Sequence, residues 1–207
     1  MKGFQECIQI YRKAFFESDS VSVPRIEELV RRDQGKLFSF SRGEEVFGFA
    51  LVYIFRTASF AWLDYFAIHE SVRGQGLGTD LLKRILLWLK ESSPTVQVLL
   101  FEVGDDENEI GTFGKGWLRR VRFYSRVGAR ILEGVPYLFP GYGEKGPIPM
   151  ALLAFPLQSQ TTLQKGFVER AITEIYNTVH LRKSDDSVLN SFLNRIPAEI
   201  KLSALTP

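Results

Sequence analysis

Apolar residues recur along the chain with two different periods. Phe4, Ile8, Tyr11 and Phe15 are spaced three or four apart, which predicts an amphipathic helix over residues 4–16. Pro24 stands where a first helical turn tolerates it and opens a second helix through Val30. The period then changes. Lys36–Ser41, Val46–Arg56 and Ala58–Ile68 are rich in aromatic and β-branched residues, with Ser41-Arg42-Gly43-Glu44 and Arg56-Thr57 as turns, so they read as three antiparallel strands. After a glycine-rich stretch, Leu77, Leu81, Ile85, Trp88 and Leu89 share one helical face, and Pro94 marks that helix's end. Val96–Val103 is a nearly unbroken apolar run, the pattern of a buried strand. A loop over Gly104–Gly116 leads to a helix at Trp117–Val127, closed by Gly128. Ile131-Leu132 and Ile148–Phe155 read as two further strands, on either side of a Pro/Gly/Tyr-rich excursion.

The predicted order, α-α-β-β-β-α-β-α-β-β, fits an α/β fold with one mixed sheet and helices on both faces. Pro156 and the polar stretch Gln158–Thr162 end that unit, placing a boundary between residues 1–157 and an extension at 158–207. In the extension, Leu163, Phe167, Ile172, Ile175, Tyr176 and Val179 mark a long amphipathic helix, and a shorter one follows near Val188–Arg195. A tail of this size is too small for a core of its own. Its apolar face belongs on the main unit, on a partner, or on a second copy, as a homodimer built through the C-terminal helices.

Composition narrows the classes. The 207 residues are 45% apolar and 24% charged, which argues for a packed globular chain rather than a disordered one. A net charge of +2 removes the main electrostatic reason to expect a nucleic-acid partner. Arg119, Arg122 and Arg126 point away from Tyr124 on the helical wheel, the arrangement of a solvated face; Arg120 does not, and Arg130 lies past the helix end. Cys7 is the only cysteine, so an internal disulfide framework is excluded and a cytoplasmic, soluble protein is expected. No apolar run reaches the ~18–20 residues of a membrane span, so no membrane partner is expected. With His69, His180 and Cys7 as the available soft ligands, no zinc cluster of Cys/His spacing exists and no metal is expected.

The segment from Tyr65 to Leu81 carries the chemistry. Strand, short loop, closely spaced glycines and amphipathic helix follow in that order. Such a loop lets backbone N–H groups and the positive end of a helix meet a phosphate. A dinucleotide fingerprint fails, because its last glycine would fall on Thr79 or Leu81; a nucleotide P-loop fails, because Gly78-Thr79-Asp80 lacks the lysine. The pattern Arg/Gln-x-x-Gly-x-Gly/Ala is met in full by Arg73, Gly76 and Gly78, with Gly74 added. Motif, preceding strand and element order together resemble the GNAT superfamily of N-acetyltransferases, over about residues 1–155.

That resemblance implies a GNAT-like fold, a largely antiparallel central sheet splayed between strands 4 and 5. It implies acetyl-CoA as cosubstrate, with Arg73, Gly74, Gln75, Gly76, Leu77, Gly78 and Thr79 holding the pyrophosphate. It implies too that the main chain of Phe66, Ala67 and Ile68 pairs with the pantetheine arm like an added strand. Glu70 departs from the proline that family members often carry after the position of His69, a loop variation that leaves the cradle intact. Tyr124, in the series Tyr-x-x-x-Gly ending at Gly128, resembles the family tyrosine that protonates the departing thiolate. Trp117, Val121, Tyr124 and Gly128 share a narrow helical arc, which turns Tyr124 inward.

The base is open among three residues. Glu102 ends an otherwise apolar strand, a costly place for a carboxylate without a partner or a task. Asp64, on the strand leading to the loop, and His69, at the strand–loop junction, are its rivals. The excursion Gly134–Gly143 holds aromatics between prolines and is suited to wall an acceptor pocket or to cover the sheet end. Asp105, Asp106, Glu107 and Glu109 with Glu102 would favour a cationic amine acceptor. The expectation is an acyl-CoA N-acyltransferase acting by direct attack on the thioester, with Glu102 as base and Tyr124 as acid. Its alternative is a GNAT-like module that binds acyl-CoA as a sensor or scaffold. A longer acyl donor and a hydroxyl acceptor are variants of the same chemistry.

Overall fold

The computed structural model describes residues 2–15, 21–104, 117–141 and 146–205. Two helices open the chain, α1 (Lys2–Ala14) and α2 (Val23–Arg31). The meander follows as β1 (Gly35–Arg42), β2 (Glu45–Phe55) and β3 (Phe60–Ile68). Then come α3 (Leu77–Ser92), β4 (Val98–Gly104), α4 (Trp117–Val127), β5 (Arg130–Leu132), β6 (Leu138–Phe139) and β7 (Ile148–Pro156). The extension forms β8 (Thr162–Gln164), α5 (Lys165–Thr178), α6 (Ser187–Leu193) and β9 (Glu199–Ala204). No helix among the described residues is long and apolar enough to cross a membrane.

The strands join in the order β1-β2-β3-β4-β7-β5-β9-β8, with β6 paired to β7. Every pairing is antiparallel except β3 with β4. Alternating side chains divide the core between the two faces of the sheet. One face carries Leu51, Tyr53, Phe60, Trp62 and Leu100 beneath α1, α2, α5 and α6, through Tyr11, Leu29, Ile172, Tyr176 and Phe192. The other carries Ala61, Leu99, Phe101 and Leu153 beneath α3 and α4, through Leu82, Ile85, Leu89 and Val121.

The extension differs from its expected form. Both predicted helices are present, but β8 and β9 also continue the sheet: β9 pairs with β5 through Arg130↔Ala204 to Leu132↔Leu202, and with β8 through Thr162↔Lys201 to Gln164↔Glu199. The boundary expected at 157/158 thus falls within one continuous sheet. Of the places left open for the apolar face of α5, the structure shows the main unit, with Val168, Ala171, Ile172, Ile175 and Tyr176 all enclosed.

The feature that positions the site is the parting of β3 and β4. Their parallel register runs only from Phe60↔Val98 to Trp62↔Leu100. Beyond it β3 keeps β2 on its other edge to Ile68, and β4 keeps β7 to Gly104. The splay that the resemblance puts between strands 4 and 5 falls between β3 and β4 in this chain's count, since α1 is the first described element. A bulge in β3 sits at the same level: Leu51 faces Tyr65 while Val52 faces Leu63, leaving Asp64 as the extra residue.

Candidate functional site

The cradle is built where β3 runs into α3. His69 N–H donates to the Phe47 carbonyl at 2.7 Å, fixing the end of the strand. A single 3-10 turn at Glu70–Val72 follows, capped by the His69 ring, whose Nδ1 lies 2.7 Å from Ser71 Oγ and accepts from Ser71 N–H at 3.4 Å. Arg73 Nε donates to the Ile68 carbonyl at 3.0 Å, so this side chain braces the loop. Gly74 and Gly76 hold φ of 81° and 82°, a region where a side chain is strained. The Asp80 N–H returns to the Gly76 carbonyl as α3 begins, so the N–H groups of Leu77, Gly78 and Thr79 precede the helix's own bonding. Gly78 has a different reason to be small: a Cβ there would meet Ile68 and Phe123 side chains at 3.3 Å, tying the cradle to α4. Gln75 lies within this turn and is exposed.

Next to the cradle, the opened sheet offers main-chain edges. From Leu63 to Ile68, which includes Phe66 and Ala67, the β4-facing edge of β3 has no strand beside it among the described residues; the same holds for the β3-facing edge of Phe101–Gly104 of β4. An extended ligand arm can add to such an edge as a strand does.

On the α5 side of the opening, two carboxyl groups meet. Burial pushes Asp64 up to about 7, with the Trp62 indole offsetting part of the rise. Burial likewise pushes Glu102 up to about 8; the Tyr137 hydroxyl opposes this and the Asp64 charge adds to it. Asp64 Oδ2 and Glu102 Oε2 are shielded and accept no hydrogen bond of ordinary geometry from the described residues, and the Trp62 Nε1 proton, though near enough to Asp64 to favour its charge, makes none of ordinary geometry either. Tyr137, from the excursion, lies with its hydroxyl 2.9 Å from His180 Nε2. His180 Nε2 is 3.9 Å from Glu102 Oε2, and burial lowers this imidazole to about 3, so it is neutral and forms no ion pair.

Tyr124 stands on the opposite face. Its ring packs 4.6 Å from Phe101, the first β4 residue beyond the paired stretch, and against Phe123 and Phe155. Burial raises its hydroxyl to about 12, while the Arg120 charge works in the other direction. Arg119, Arg122, Arg126 and Arg130 are exposed, as a solvated face requires.

The structure therefore brings Glu102 and Asp64 together and puts Tyr124 across the sheet from them. His69 serves as a turn cap. Cys7 is buried, which pushes its thiol up to about 11 and makes it a poor nucleophile. Asp105, Asp106, Glu107, Glu109, Tyr142 and Gly143 lie outside the described residues, and so does nearly all of the Gly104–Gly116 loop. Reasoning from sequence missed the parts of Trp62, Tyr137, Tyr176 and His180. The one signal for His180 was a histidine ending the strongly apolar face of α5.

Comparisons with known proteins bear on the family and the fold. Residues 4–113 match the family model described as Acetyltransferase (GNAT) family, and the chain belongs to that family and is an acetyltransferase. A GNAT-family protein from Bacteroides thetaiotaomicron superposes with a TM-score of 0.64 at 20% identity, over 85% of this chain and 90% of its own. An aminoglycoside 6'-N-acetyltransferase complexed with coenzyme A gives 0.56 at 14% identity, over 76% and 92%. A ribosomal-protein-alanine N-acetyltransferase from Brucella melitensis gives 0.55 at 16%, over 75% and 96%. At these identities the likeness is one of fold. No curated protein matches the chain by sequence.

Proposed function

We propose that the chain transfers an acetyl group from acetyl-CoA to an amine by direct attack on the thioester, with Glu102 as base and Tyr124 as acid. The observation that carries this reading is the opening between β3 and β4, flanked by a phosphate cradle at one end and by functional groups on both faces. Gly74–Thr79 fit a pyrophosphate through N–H groups that precede the helix's own bonding, while the Arg73 N–H is held by the Glu70 carbonyl; the Phe66–Ile68 edge fits the pantetheine amides.

The chemistry matches the groups. An alkylammonium ion has a pKa of about 10, so an ordinary carboxylate near 4 is a feeble base toward it. Glu102 at about 8 lies much closer to the amine, and its proton affinity rises where the nucleophile must be uncovered. The neighbouring Asp64 carboxyl favours a cationic acceptor. On the other face Tyr124 keeps its proton and donates a hydrogen bond to the sulfur as negative charge develops there. Arg120 is the group placed to stabilise a tyrosinate if that proton passes to sulfur.

The test is a turnover screen with acetyl-CoA over polyamines, aminoglycosides, amino acids and peptide N-termini, reading the released thiol. Turnover with an amine, lost in Glu102→Gln, supports the reading. Tight acetyl-CoA binding with no acetylation of any acceptor would favour the sensor or scaffold instead. Turnover indifferent to the charge of the acceptor would remove the cationic preference.

A further inference from the structure

The C-terminal extension reaches into the site with more side-chain chemistry than a structural brace requires. α5 ends at Thr178; Tyr176 in its last turn and His180 just past its cap lie on the carboxyl side of the opening. The His180 ring is edge-on to Trp62, Phe139 and Tyr176, with centroids 6.4, 5.1 and 5.5 Å away. Its side chain is 4% exposed. The excursion is latched to the same segment: Tyr176 donates its hydroxyl proton to the Leu138 carbonyl, and Arg182 Nη2 donates to the Pro140 and Gly141 carbonyls at 3.4 Å. Leu181 holds φ of 55° although it is not glycine and is largely exposed. This left-handed residue, which gains no burial, directly follows the histidine.

Tyr137 has one hydroxyl proton and two neighbours that would take it, His180 Nε2 at 2.9 Å and the Glu102 carboxyl. We propose that His180 is a positioning residue for acetyl transfer: by competing for the Tyr137 proton it weakens the support that hydroxyl gives to ionised Glu102 and keeps the Glu102 carboxyl a stronger base. This rests on the reading of Glu102 as the base. The neutral imidazole can accept because burial keeps it unprotonated. A carboxylate denied a donor holds its own proton more tightly. In the protonated state, Glu102 donates to the Tyr137 oxygen while Tyr137 donates to His180; on ionisation the hydroxyl can turn to the carboxylate only by giving up its bond to His180, so its support for the charge is reduced by that loss. No atom is consumed and no proton is gained beyond the one taken from the amine. The other groups acting at this point are Asp64 from β3, which raises Glu102, and Tyr176, Arg182 and Asp186 from the extension behind His180.

The experiment titrates the Glu102 side-chain carboxyl by 13C NMR in the free protein, in the parent, His180→Leu, Tyr137→Phe and the double variant. Expected is a downward shift of the Glu102 midpoint by about one pH unit in His180→Leu. No further shift is expected when His180→Leu is added to Tyr137→Phe, because the effect passes through the hydroxyl. An unchanged midpoint in His180→Leu, or the same shift with and without the Tyr137 hydroxyl, overturns the proposal. Should His180→Leu fold poorly, 15N shifts of the parent imidazole decide: an unprotonated, hydrogen-bonded Nε2 supports it and a protonated Nε2 overturns it. Turnover of Glu102→Gln tests the underlying reading separately, since retained activity there removes the base and leaves the midpoint shifts as a purely electrostatic fact.

Discussion

Replacing Glu102 by glutamine should stabilise the fold while abolishing the chemistry, and the gain should depend on pH in a defined direction. Glu102 rises from an ordinary 4.5 to about 8 because burial disfavours its charge. A folded-state value above the unfolded one means that the native protein holds a proton the unfolded chain has released. Stability from this group is therefore fully present below pH 4.5 and is lost as pH rises through about 8. At about 1.4 kcal/mol per pH unit the rise caps the loss at about 5 kcal/mol. The side chain is 19% exposed and coupled to Asp64, which places the measured loss below that ceiling. Glutamine cannot ionise. Denaturant unfolding of parent and Glu102→Gln should give nearly equal stabilities at pH 4.5, with an advantage to the variant that grows to a plateau above pH 8. A gap that is constant across pH, or a parent more stable at pH 9, would refute the reasoning. Turnover should fall by at least ~10²-fold in the same variant.

Other outcomes follow from single contacts. Tyr124→Phe should slow turnover by roughly 10–10²-fold with little change in acetyl-CoA affinity by calorimetry, because the ring packing survives and only the donor is lost. Gly78→Val forces a side chain against Ile68 and Phe123, so it should cost about 1–3 kcal/mol of stability and raise the KM for acetyl-CoA. Leu181→Gly relieves a left-handed backbone and should raise stability by about 1 kcal/mol in a melt. The acetylation rate should climb with pH through the ionisation of the Glu102–Asp64 pair, around 7 to 8, as the base becomes available; a profile flat from pH 6 to 9 would exclude both carboxyls as the base.

How much of this was legible in the chain depended on how local each cause was. The face of α3 is written in Leu81, Ile85 and Leu89, and β2 and β3 in continuous aromatic and β-branched runs, so those elements follow from spacing alone. The cradle follows from Arg73, Gly76 and Gly78 in the right context. Glu102 was visible as a carboxylate in an apolar strand. By contrast, β6, β8 and β9 exist because of their neighbours: β6 has only Leu138 and Phe139, and β9 shows alternation in Ile200 and Leu202 alone. The bulge that re-aims Asp64 arises from a register shift against β2, which no periodicity in β3 announces. Tyr137 and His180 are 43 residues apart and meet only because the extension folds back onto the excursion. Pairwise distance across the fold is what sequence pattern does not encode.

The placement of Glu102 and Tyr124 on opposite sides of one sheet bears on how the enzyme can be blocked. Were Glu102 and Tyr124 to act as proposed, a compound bound against the one and a compound bound against the other would approach from different faces and need not exclude each other, so their effects on the rate should multiply, where mutually exclusive inhibitors would only add. On the same proposal, a single molecule that mimics both substrates would have to pass between β3 and β4, with a tether no bulkier than an extended chain.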